Sequence, residues 1–340
     1  MSGADAESHG ADEVAAALTE LGLLDDGEAA LIEPLSGGVS SDIFGVRTAR
    51  DRRFVAKQSI SKLRVAADWR APMERDAVEV AWLNAVREVD PQLAPEVIAW
   101  SPERHLFVMP WLDQAAYPVW KLEMAAGRVN PAFAARVGGD LARIHSAMAG
   151  RADIVARFPG EENFIALRID PFFTYAAHRH PDVAPRLHAL AAGILERRTT
   201  LIWGDASPKN ILVGPSGPVF LDAETAVIGD PAFDLAFCLT HLLLKTIWLA
   251  VNAKGLIESF ESVRDAYLAR IAFEPAEALS SRAAALIGAL LLARVDGKSP
   301  AGYLDMAQDE EVRRRAKALL ARDDLDLDVL PAVWRGFDAA

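Results

Sequence analysis

The hydrophobic pattern of this 340-residue chain changes character at Pro110-Trp111, and that change limits the folds open to it. Before it, short β-rich runs are broken by glycine and proline: Leu31 to Leu35, Ile43 to Arg47, Phe54 to Lys57, Val97 to Ala99 and His105 to Met109. β-Branched and aromatic residues favour such half-buried strands. Met73 to Val89 interrupts them with helical spacing and is closed by Pro91 and Pro95. This part reads as a small antiparallel sheet with one helix, in the order β-β-β-α-β-β. Beyond it, Asn130-Pro131 supplies an N-cap and a first-turn proline for a helix reaching about Met148, and the remainder is mostly helical. The expected class is α+β in two lobes, with a disordered tail over residues 1–11, an N-terminal lobe over 12–109, a hinge over 110–113 and a larger helical C-terminal lobe over 114–340.

Charge and composition narrow the function. A hydrophobic content of 51% permits a large core. A formal net charge of −12 argues against nucleic acid and anionic membranes as partners, since tracking phosphates requires a basic footprint. The single cysteine, Cys238, excludes an internal disulfide and a cysteine zinc cluster, so a cytoplasmic setting is expected. Residues 1–11 lack the charged-then-apolar order of a signal peptide. The most apolar stretches, Ala236 to Val251 and Ala283 to Val295, carry His241, Lys245 and Arg294, and read as buried helices too interrupted to span a bilayer. Oligomeric state is left open.

Chemistry concentrates between Leu201 and Asp222. Ile211 to Leu221 reads as a hairpin turning at Gly214-Pro215-Ser216-Gly217. Pairing Val213 with Val219 and continuing outward sets Asn210 opposite Asp222, close enough for one Mg²⁺ to take oxygen from both. Asp205 lies on the loop entering the same hairpin end. Such an acidic centre repels a polyphosphate unless metal and lysine reverse the sign. Lys57 ends an apolar strand after the glycine-containing loop Ser36-Gly37-Gly38-Val39-Ser40-Ser41, and is the candidate for the α- and β-phosphates. Its acidic partner is sought on the helix Met73 to Val89. Glu79 shares a face with Leu83 and Val86 and is preferred; Glu74, with Ala77 and Ala81, remains open.

Taken together, Trp203-Gly204-Asp205-Ala206-Ser207-Pro208-Lys209-Asn210-Ile211-Leu212, then Leu221-Asp222-Ala223-Glu224, then Gly229-Asp230-Pro231-Ala232-Phe233-Asp234, resemble the aminoglycoside phosphotransferase and choline kinase family over roughly Leu31 to Lys245. The resemblance implies a protein-kinase-like fold and a small-molecule kinase using ATP or GTP. It implies Asp205 as the base that accepts the hydroxyl proton, Asn210 and Asp222 as Mg²⁺ ligands, and Lys57 paired with Glu79. Ser36, Gly37, Gly38, Ser40 and Ser41 would cradle phosphate through amides and hydroxyls. The partners expected are a nucleoside triphosphate and a small hydroxyl-bearing molecule. Two departures stand out: Trp203 occupies the usual histidine position, and the loop lacks the three spaced glycines of protein kinases. A nucleotide-binding pseudokinase and a protein kinase are the alternatives. Asp230 reads as an N-cap, Asp234 as a buried anchor of the loop backbone, and His145 and His241 as core or cap residues rather than ligands.

Overall fold

Each β-rich run of the first part is short and one-faced, so it needs strand partners and a cover on its apolar side. The computed structural model describes residues 3–35, 40–64 and 69–338. In it β1 (Ala30–Pro34), β2 (Ser41–Thr48), β3 (Arg53–Ser59), β4 (Ala99–Ser101) and β5 (Leu106–Pro110) form one antiparallel sheet in the spatial order β1-β2-β3-β5-β4. Alternation along β3 sends Phe54 and Ala56 into a cluster with Phe44, Val46, Leu106 and Val108. Val14, Ala17 and Leu18 of the N-terminal helix α1 (Gly3–Glu20) complete that cluster. Lys57 has the opposite parity and meets the second helix, α2 (Arg75–Val89).

Residues 1–11, expected as a disordered tail, are helical from Gly3 on. The spacing of Val14, Ala17 and Leu18 supplies an apolar stripe that docks the helix, and a nucleated helix extends one hydrogen bond at a time toward its N-terminus.

The chain divides into two compact units, Met1–Asp113 and Gln114–Ala340. In the second, α3 (Trp120–Ala125), α4 (Pro131–Met148), α5 (Ala152–Arg157) and α6 (Glu162–Phe164) lead into a π-helical segment, Ile165–Thr174. After α7 (Tyr175–Arg179) and α8 (Ala184–Glu196), β6 (Thr200–Ile202) pairs with β9 (Val227–Gly229), and β7 (Ile211–Gly214) pairs with β8 (Gly217–Phe220). The remainder is α9 (Pro231–Trp248), α10 (Ala253–Leu268), α11 (Ala276–Asp296), α12 (Met306–Leu320) and α13 (Leu330–Gly336). Asn130 and Asp230 cap α4 and α9 by accepting from Phe133 N at 3.1 Å and Ala232 N at 3.0 Å, each with proline next in sequence. Helix α11 is, contrary to the reading above, long and apolar enough by length and composition to cross a membrane. Its apolar stripe, including Leu279, Ala283, Ile287, Leu290 and Leu291, is buried inside the unit against α9 and α12.

Candidate active site

The loop after β6 is held from behind by one fully buried carboxylate. Asp234, in the first turn of α9, accepts the backbone N–H groups of Trp203 at 2.6 Å and Gly204 at 2.7 Å. His145 of α4 approaches the same carboxylate at 3.1 Å through Nε2, and its Nδ1 lies 2.7 Å from the Tyr267 hydroxyl. A buried carboxylate so fully partnered, at a helix N-terminus, is an anchor for the loop rather than a reactant. Gly204 has φ +78°, and a Cβ there would lie 2.4 Å from Thr225 Oγ1, so the bend that turns the chain toward Asp205 requires glycine.

Asp205 itself is nearly buried and surrounded by donors. Its Oδ2 accepts from Asn210 Nδ2 at 2.8 Å and lies 3.0 Å from Arg168 Nη2 and 3.2 Å from Lys209 Nζ. Arg168 was not anticipated from sequence. It rises from the π-helical segment and also donates to the carbonyls of Gly204 and Leu167, which ties the loop to that segment. An arginine inside the apolar run Phe164 to Phe173 was the available signal, since a buried guanidinium demands acceptors. Lys209 stood within the quoted motif, four residues after Asp205, without being singled out.

The hairpin is shifted by one residue from the expected register. Ile211 faces Phe220, Leu212 faces Val219, Val213 faces Pro218 and Gly214 faces Gly217. The turn therefore has two central residues, Pro215 and Ser216, instead of the five implied by pairing Val213 with Val219. Asn210 stands opposite Leu221, whose N–H donates to Asn210 O at 2.9 Å, and the expected pairing of Asn210 with Asp222 is absent. Asp222 follows with φ +63°, a left-handed conformation that aspartate tolerates. Both side chains nevertheless belong to the open end of the hairpin, and Lys209 Nζ lies 4.0 Å from Asp222 Oδ2 as well as beside Asp205. Trp203, at the position of the family's histidine, donates through Nε1 to Asp222 O at 3.1 Å and packs edge-on against Phe220. The indole thus forms a hydrogen-bonded strut to the backbone of Asp222.

Asn210 spends its amide N–H on Asp205, so the oxygen Oδ1 is the atom of its side chain that could ligate a cation, as could the Asp222 carboxylate. Among the described residues, no group of three or more His, Cys, Asp or Glu is arranged as a metal site. Two hard oxygen donors without a protein cage fit Mg²⁺, which takes few protein ligands and completes its shell with phosphates and water.

In the first unit, Lys57 donates to both oxygens of Glu79, at 2.9 and 2.7 Å, with both side chains nearly buried. Glu74 stands at the N-cap position of α2 instead. Arg75, fully buried, donates to the carbonyls of Ser40, Ile60 and Pro72 and so fixes the backbone where β2 begins. Ser40 and Ser41 are buried there. Ser36, Gly37 and Gly38 lie outside the described residues.

Comparison with known proteins identifies the family and the fold. A model described as the phosphotransferase enzyme family matches residues 31–279. Among solved structures, an amicoumacin kinase bound to AMP-PNP, Ca²⁺ and Ami is 13% identical with a TM-score of 0.57, covering 88% of this chain and 91% of its own. A choline/ethanolamine kinase family protein from Mesorhizobium loti is 17% identical with a TM-score of 0.53, covering 95% and 99%. A choline kinase from Cryptosporidium parvum is 13% identical with a TM-score of 0.53, covering 94% and 99%. No curated protein matches the chain.

Proposed function

The chain belongs to the phosphotransferase enzyme family, and from that premise we propose that it moves the γ-phosphoryl group of ATP or GTP to a hydroxyl of a small molecule through Asp205, Asn210 and Asp222. One observation carries the reading: Asn210 and Lys209 both engage Asp205, while Lys209 also reaches Asp222, so base, metal donors and a phosphate-sized cation share the open end of one hairpin.

In the transfer, the acceptor oxygen bonds to the γ-phosphorus as the bond to the β–γ bridging oxygen breaks. The nucleoside diphosphate leaves, and the hydroxyl proton passes to Asp205. The transition state is loose, so Asp205 is asked to orient the hydroxyl more than to pull its proton. Arg168 suits that role, because it fixes the Asp205 carboxylate from below. Asn210 Oδ1 and the Asp222 carboxylate would hold Mg²⁺, which would supply charge neutralisation for the phosphates. Lys209 moves from the two carboxylates onto incoming phosphate oxygen. Lys57, steadied by Glu79, serves the α- and β-phosphates. The fold does not select the acceptor, as the amicoumacin and choline kinases among its structural relatives illustrate.

The test is a thermal-shift titration with ATP and GTP, each with and without Mg²⁺, alongside release of nucleoside diphosphate in the absence of acceptor. Stabilisation that requires Mg²⁺, with slow background hydrolysis, is expected. Binding without hydrolysis supports the pseudokinase alternative, and no Mg²⁺-dependent binding removes the kinase reading.

A further inference from the structure

The second unit gathers a second group of cations that make no ion pair with a carboxylate among the described residues, Asp205 acting on Arg294 only at longer range. Lys121 of α3, Lys245 of α9 and Arg294 of α11 converge around Tyr303 and Phe172. Lys121 Nζ lies 4.8 Å from the centre of the Tyr303 ring and Lys245 Nζ lies 5.5 Å from it. Trp248 packs against Tyr303 at 4.5 Å between centroids and walls the same side. The Arg294 guanidinium lies over Phe172 at 5.9 Å, the ring that Arg168 also covers at 5.6 Å, and Arg168 is in contact with Asp205. The cluster thus borders the phosphoryl-transfer centre. Two packing contacts agree: α3 packs on the turn Pro208–Asn210, and α11 packs on the π-helical segment that carries Arg168.

The partners of these cations are neutral. Lys245 Nζ donates to the His241 carbonyl at 3.3 Å, and Arg294 donates to Ser299 and to the Pro300 carbonyl. Among the described residues, Lys121, Lys245 and Arg294 form no ion pair. The buried hydroxyl of Tyr303 and the buried Nε of Arg294 have no hydrogen-bond partner among the described residues. Burial, with Lys121 and Arg294 beside it and only Cys238 acting in the other sense, pulls the Lys245 ammonium down to about 7. Burial lowers Lys121 and Arg294 too. His241 is held well below the usual histidine range by burial and by the surrounding cations. A charge taken out of water without an ion pair, as at Lys245, is unfavourable unless a ligand supplies the counter-charge, and the half-buried Lys121 and Arg294 add to the same sign beside it. Their sign and clustering identify that ligand as an anion.

We propose that Lys121, Lys245 and Arg294, with the Tyr303 hydroxyl, form the subsite for an oxyanion of the acceptor, so that the acceptor is a hydroxylated acid bearing a carboxylate or a phosphate ester beside the hydroxyl to be phosphorylated. This rests on the kinase reading above and deepens it. Cationic acceptors such as polyamine antibiotics or quaternary amines are excluded by like-charge repulsion at the same place. Lys209 is left for the nucleotide, because it alone of these lysines bridges Asp205 and Asp222.

The experiment uses the full chain with saturating MgADP and four acceptors sharing one propanediol frame: glycerol, glycerate, glycerol 3-phosphate and 3-amino-1,2-propanediol. Thermal shift reads binding, and diphosphate release with MgATP reads turnover. A preference of at least about 10-fold for an anionic member over glycerol is expected, with the amine weakest. Glycerate or glycerol 3-phosphate as the better binder separates a carboxylate from a phosphate subsite. Lys245→Met should weaken the anion effect by about 10-fold or more. Lys121→Met, at a less buried position, repeats the test should the first variant fold poorly. Stabilisation by MgADP with no preference for the anions overturns the inference alone. No effect of MgADP or MgATP overturns the kinase reading and the inference with it.

Discussion

Two lysines of this protein are almost equally removed from water, Lys57 at 5% exposure and Lys245 at 1%, yet their surroundings are opposite. Lys57 donates to both oxygens of Glu79, whereas Lys245 reaches only a backbone carbonyl and faces two further cations. The first environment is complete in itself and serves to hold an ammonium in one place. The second is incomplete and asks for a negative ligand. The same contrast separates Asp205, whose cations are ion-paired with carboxylates, from the cluster around Tyr303, whose cations make no ion pair among the described residues. Burial alone therefore says little about a charged group's role; the presence or absence of its counter-charge decides it.

The contrast can be broken at its matched side first. Asp205→Asn removes the carboxylate from among Arg168, Lys209 and Asn210, and kcat is expected to fall by about 10²–10⁴-fold with nucleotide affinity little changed. Steady-state kinetics checks this, and unaltered turnover would remove Asp205 from the mechanism. Next comes Glu79→Ala, which strands the Lys57 ammonium in a buried site. It should destabilise the protein by about 3–5 kcal/mol in urea unfolding, the usual consequence of orphaning one member of a buried pair. A change below about 1 kcal/mol would mean that the pair behaves as a surface ion pair.

The unmatched side predicts the opposite sign. Lys245→Met replaces an uncompensated ammonium by an apolar chain of similar length and should stabilise the ligand-free protein by about 1–4 kcal/mol at pH 6. Folding lowers the Lys245 pKa from 10.5 to about 7. Between those values the unfolded chain holds the proton more tightly, so wild-type stability rises with pH across this window. Below pH 7 the charged form carries its full burial penalty. The advantage of Lys245→Met should therefore be largest below pH 7 and shrink toward pH 10.5, in a comparison of melting temperatures across pH. A destabilised variant at pH 6 would show that Lys245 has a counter-charge after all. The smallest effect belongs to Trp203→Phe, which keeps the ring against Phe220 but leaves the Asp222 carbonyl without its indole donor. A loss of about 1–2 kcal/mol is expected, with Mg²⁺-dependent nucleotide binding weakened only a few-fold. Abolished binding would make Trp203 more than a strut.

Local spacing and composition determined a good deal by themselves. The β-rich runs before Pro110, the capped helices after Asn130 and Asp230, and the motif from Trp203 to Asp222 are short-range patterns, and short-range patterns are what strand alternation, proline and capping chemistry write into a chain. Family and reaction class followed from that motif. The tertiary structure decided what depends on more than neighbours in sequence. The register at Asp222 turned on whether the tip closes over two residues or five, a choice between turns of nearly equal local plausibility. Arg168 found Asp205 only because a π-helical segment carries it across to the loop, and α1 became structured only because the sheet offers its stripe a partner. The cation cluster was the least legible of all. Lys121, Lys245 and Arg294 come from three helices far apart in the chain, and an unanswered charge is visible only once every neighbour of that charge is in place.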